Sequence, residues 1–140
     1  MATIKSYTDL EQSKKLAEIL PLESADMFYN EEPEDESYPK DIVDTKYPMI
    51  LREGDIRFLE EYGIPCWSLA ALLGVLPNSE NISTTLSKGG YKISTLEYTN
   101  SWFVDYEDET NSLNNCVTSA DNPVDACVAM IEKLNELKML

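Results

Sequence analysis

The chain of 140 residues sets 26 acidic side chains against 11 basic ones, for a formal charge of −15, and contains no histidine. That charge repels nucleic-acid backbones and anionic membrane surfaces, and the missing imidazole removes the usual proton-transfer group near neutral pH and the commonest transition-metal ligand. Hydrophobic residues make up 43% of the sequence, enough for one core, so the composition points to a single acidic domain over residues 1–140.

In chain order, the first element expected is a helix over residues 8–20. Thr8 and Glu11 have the spacing of a capping box, and Leu10, Leu16, Ala17, Ile19 and Leu20 share one side. Glu11–Lys15 and Lys14–Glu18 are opposite-charge pairs at i,i+4, and Pro21 ends the run. The same charges leave no signal-peptide hydrophobic region in the first twenty residues. Glu31, Glu32, Glu34, Asp35 and Glu36 then crowd around Pro33, which reads as a solvated loop. It lies between two short apolar pieces, 27–29 and 48–51, either of which would supply a strand.

A second helix is expected over residues 65–76. Pro65 suits its first turn, and Trp67, Leu69, Leu72, Leu73 and Leu76 make it apolar on every side, which predicts burial all round. Residues 78–90 are polar and read as a loop. Tyr91–Tyr98 and Ser101–Tyr106 are rich in β-branched and aromatic residues and flank Thr99–Asn100, so they read as a hairpin. Residues 105–115 form a further acidic, Asn-rich loop. A third helix is expected over 122–138, with Asn122 as N-cap, Pro123 in the first helical position and Asp125 in the first turn. Val124, Cys127, Val128, Ile131, Leu134 and Leu137 recur at helical spacing. The sum is an α+β fold: about three helices packed on a small antiparallel sheet of three or more strands, the 91–106 hairpin completed by 27–29 or 48–51.

Three segments carry a resemblance to a known group. They are Thr3–Tyr7 running on through Glu11–Met27, then Pro65–Pro77, then Ala120–Cys127. Together they resemble a family of short uncharacterised proteins encoded by gut Bacteroidetes, often in phage-like or mobile regions. The resemblance covers about half the chain. It implies a bacterial, cytoplasmic setting and a common fold, and it transfers no activity and no functional residue.

The chemistry-bearing residues are few. Cys66, Cys116 and Cys127 are an odd, widely spaced set without a CxxC, which reads as reduced thiols rather than a disulfide framework or a zinc site. Cys66 stands where a helix N-terminus would lower a thiol pKa, yet no histidine can serve as its base and its apolar neighbours favour burial. The two carboxylate clusters, 31–36 and 105–109, lack the contrast of environments that acid–base pairs need, and neither has the pattern of an EF-hand loop. No cofactor or metal is implied. Tyr98, Trp102, Phe103 and Tyr106 crowd one hairpin, where they either fill the core or form a partner-binding face. The function expected is a cytoplasmic, non-catalytic protein-interaction or regulatory module. Its partner would be another protein or a second copy, with no direct nucleic-acid or membrane contact. A nucleic-acid mimic inhibiting a DNA-binding enzyme, and an enzyme using carboxylates or Cys66, are the alternatives.

Overall fold

The computed structural model describes residues 5–30, 47–52, 63–89, 91–92, 97–98 and 100–140. The expected acidic loop at 31–36 lies outside them. Among the described residues the architecture is α+β, with three α-helices and two three-stranded antiparallel sheets. Contacts divide the chain into a unit of Tyr7–Ala71 and a unit of Leu72–Leu140 together with Met1–Ser6.

The Tyr7–Ala71 unit opens with helix α1 (Leu10–Ala17), capped one residue later than its spacing suggested. The Asp9 carboxylate accepts the Gln12 N–H at 2.8 Å, and Gln12 Oε1 accepts the Asp9 N–H at 3.1 Å. Thr8, the expected cap, is buried and bonded far along the chain instead. Its N–H donates to the Trp67 carbonyl at 3.0 Å, its Oγ1 accepts the Trp67 N–H at 3.1 Å, and its carbonyl accepts the Tyr29 hydroxyl at 2.7 Å. The helix ends at Ala17, before Pro21, which instead leads into a 3₁₀ turn at Leu22–Ser24.

Both short apolar pieces are strands of one sheet. Strand β1 (Met27–Asn30) pairs antiparallel with β2 (Met49–Ile50) on one side and with β3 (Gly63–Cys66) on the other. Neither joins the 91–106 segment as expected. Pro65, expected in a helix, lies opposite Phe28 in β3, an edge strand, where a residue without an N–H leaves no central ladder bond unmade. Tyr29, Ile64 and Cys66 pack with Tyr7, Leu10 and Met27 into the core of this unit.

Helix α2 (Leu69–Val75) therefore starts later than 65. Ser68 Oγ accepts the Ala71 N–H at 3.2 Å, and the Asp26 carboxylate accepts both the N–H and the hydroxyl of Ser68. The expectation of burial all round is corrected. Leu72 and Leu76 are buried, but Leu73 is 42% exposed and Ala70 and Gly74 face water. Two turns of helix bury one side, and isolated exposed leucines are ordinary on folded surfaces. Trp67 is fully buried, in the extended segment before the helix.

The Leu72–Leu140 unit departs furthest from expectation. Residues 82–88, read as loop, form strand β4 (Ile82–Lys88). The expected long hairpin is replaced by a short one within its first half, β5 (Tyr91–Lys92) against β6 (Glu97–Tyr98). Its second half is strand β7 (Trp102–Asp108), which pairs antiparallel with β4 along Ile82↔Asp108 to Lys88↔Trp102 and with β8 (Cys116–Ala120) along Trp102↔Ala120 to Tyr106↔Cys116. β7 is thus the centre of a β4–β7–β8 sheet.

Helix α3 (Pro123–Glu136) covers one face of that sheet, packing on β7 and β8. It begins as expected: Asn122 Oδ1 accepts the Asp125 N–H at 2.8 Å, and Pro123 follows the cap. Asp125 also accepts from Lys5 Nζ at 2.9 Å, a partly exposed ion pair. Val124, Ala126, Cys127, Val128, Met130, Ile131 and Leu134 are buried. At the other end the Met139 N–H donates to the Leu134 carbonyl at 2.8 Å and the Lys138 N–H to the Asn135 carbonyl at 3.1 Å, the paired bonds of a Schellman terminus. Lys138 holds the left-handed position at φ 58°, which glycine occupies without strain. Lys138→Gly should therefore stabilise the protein by about 0.5–1 kcal/mol in urea titration; a loss of stability would contradict that terminus.

The turn after β7 is tied by Asp108, which the acidic-loop reading treated as solvated. Its Oδ1 accepts the Thr110 hydroxyl at 2.6 Å, the Thr110 N–H at 2.9 Å and the Asn111 N–H at 3.2 Å, while Oδ2 accepts Asn114 Nδ2 at 3.0 Å. Those donors, the Thr110 hydroxyl foremost and the Asn114 amide next, hold the carboxyl down to about 2. On α3, burial pushes the Cys127 thiol up to about 11. The pH dependence of stability follows. Below about pH 4 an unfolded aspartate takes up a proton before the folded Asp108 does, so stability falls from there toward pH 2. Above about pH 9 the unfolded thiol ionises while folded Cys127 stays neutral, so stability falls again toward pH 11. Between about pH 5.5 and 8, without histidine, urea midpoints should be flat. Asp108→Asn should flatten the acid limb, and a step near pH 6–7 would contradict this account.

Candidate interaction surface

The β4–β7–β8 sheet has two faces of opposite character, set by the alternation of side chains along each strand. Thr118 Oγ1 donates to the Ala126 carbonyl at 2.9 Å and Cys116 Sγ lies 3.8 Å from Met130 Sδ, so Cys116 and Thr118 face α3. Their cross-strand partners Tyr106 and Val104 face it too, and both are buried. The residues between them face away. The outward rows are Ser83 beside Glu107, Thr85 beside Asp105 and Val117, and Ser87 beside Phe103 and Ser119.

The four expected partner-binding residues do not make one surface. Tyr106 is 2% exposed on the α3 face, and burial raises the pKa of its phenol. Trp102 is half-buried on the same face, with Lys88 Nζ 5.9 Å from its ring centroid. Phe103 is half-buried on the outward face, and Tyr98 lies on β6, paired with Tyr91. Of the four, Phe103 alone belongs to the outward face of β7.

Sequence reading missed the rest of that face. Val117, 51% exposed, lies diagonally across from Phe103, and Asp105 and Glu107 are spaced along β7 as i and i+2. Neither carboxylate has an ion-pair or hydrogen-bond partner among the described residues. The signal was present as the alternation Ile82–Thr84–Leu86 in a segment whose other residues are Ser, Thr and Lys.

The candidate catalytic groups are placed otherwise. Cys66 is fully buried, and its Sγ donates to the Thr8 carbonyl at 3.4 Å and accepts from Thr8 Oγ1 at 3.5 Å. Burial is the largest influence on the thiol and raises its pKa, so it is held as a neutral, packed group rather than a thiolate. The 105–109 cluster is split by the pleat, with Asp105 and Glu107 outward and Asp108 turned into its own turn. Among the described residues no group of three or more Cys, Asp or Glu side chains could hold a metal ion, and no helix is long and apolar enough to cross a membrane. Comparison with protein-family models, curated proteins and solved structures gives no match.

Proposed function

We propose that the chain is a non-catalytic protein-interaction module acting in the cytoplasm, and that it binds another protein through the outward face of the β4–β7–β8 sheet. The observation that carries this reading is Val117, half exposed beside Phe103, on a sheet anchored from behind by α3. Apolar side chains fixed on a strand and rimmed by hydroxyls and carboxylates have the make-up of an interface core and rim. The three free cysteines and the burial of Cys66 support a reducing compartment and a structural thiol. Nucleic-acid mimicry has weaker support, because this face offers two carboxylates rather than an extended row.

The test is capture from the native cytoplasm. The wild-type chain should recover one protein in stoichiometric amount, and Val117→Arg should lose it while keeping the stability by urea titration within about 0.5 kcal/mol of wild type, as expected of an exposed site. Recovery of no partner, or capture untouched by Val117→Arg, would refute the reading.

A further inference from the structure

We infer that the occupant of this outward face is a cationic, extended protein segment, one carrying Lys or Arg at alternate positions with aliphatic side chains nearby. This rests on the reading of the face as an interface and adds the chemistry of the partner. Asp105 and Glu107 project from the same side of β7, two residues apart and thus about 7 Å along the strand. Alternate side chains of a second extended chain repeat at that same spacing, so two cations at i and i+2 meet the two carboxylates in register. Val117 lies directly across from Asp105 and provides an apolar contact beside the charged sites. Neither carboxylate is neutralised within the described protein, and none of the outward-facing residues of the three strands is basic, Lys88 lying on the α3 face. The whole-chain charge of −15 disfavours a second copy at this face and steers a basic partner toward it.

The experiment is a two-dimensional NMR titration of the isotopically labelled whole chain with a synthetic peptide alternating Lys and Val. Two further titrations use a peptide alternating Glu and Val, and spermidine. The Lys–Val peptide should give saturable shifts centred on residues 83–87, 103–107 and 117–119. Asp105→Asn with Glu107→Gln should weaken it about three- to tenfold at low salt, and raising the salt should weaken wild-type binding similarly. Shifts spread over the whole acidic surface, equal shifts with spermidine, or affinity unchanged by the double substitution would overturn the inference. So would concentration-dependent self-association through the face. The cellular partner separates the two levels. Capture lost in Val117→Arg but insensitive to the double substitution and to salt would leave the interface reading standing and this inference refuted.

Discussion

Trp67→Ala is expected to destabilise the protein by about 3–5 kcal/mol, the largest effect of any single truncation among the described residues of the Tyr7–Ala71 unit. The side chain is fully buried, and its indole Nε1 donates to Ser24 Oγ at 2.9 Å. Truncation removes the apolar surface and leaves a cavity that the flanking backbone is poorly able to close. That backbone is pinned in place, because the N–H and carbonyl of Trp67 are both bonded to Thr8. A domain of this size has about 5–15 kcal/mol in total, so the variant should unfold at much lower urea. Trp67→Phe keeps most of the volume and loses the N–H, and should cost distinctly less. An effect of Trp67→Ala below about 1 kcal/mol would mean that the segment before α2 is at the surface.

The second large effect separates two residues that helical spacing alone treats alike. Ile131 and Leu137 fall on one apolar row of the last helix, yet Ile131 is fully buried and Leu137, just past the helix end, is 52% exposed. Ile131→Ala should cost about 2–5 kcal/mol, and Leu137→Ala should stay within about 0.5 kcal/mol, both by urea titration. Equal costs would contradict the placement of α3 on the sheet and the termination of the helix at Glu136.

The contrast between α3 and β4 explains how much was legible. In α3 the cap, the proline, the acidic first turn and the apolar period all agree, so its start is readable to the residue. In α1 the sequence reading took Thr8–Glu11 as the capping pair, but the structure puts the box one residue later, at Asp9–Gln12, which has the same spacing. The choice fell to Asp9 because Thr8 is held by Trp67 and Tyr29, partners distant in sequence. Pro65 was ambiguous for a similar reason, because proline suits a first helical turn and an edge strand alike. β4 escaped notice because its outward half is Ser and Thr, and a strand with one wet face needs only every second residue to be apolar. Missing β4 and β8 left β7 without its true partners. The aromatic cluster was therefore visible in the sequence, but its division into Tyr106 inside and Phe103 outside was not.

The outward face is tested most directly by photo-crosslinking in the native cell. A benzoylphenylalanine replaces either Thr85, exposed on β4 in the middle row of that face, or Glu136, exposed on the last turn of α3. The account predicts that the Thr85 position yields one crosslinked protein band and that the Glu136 position yields none of it. The same band from Glu136, or no band from Thr85, would contradict it.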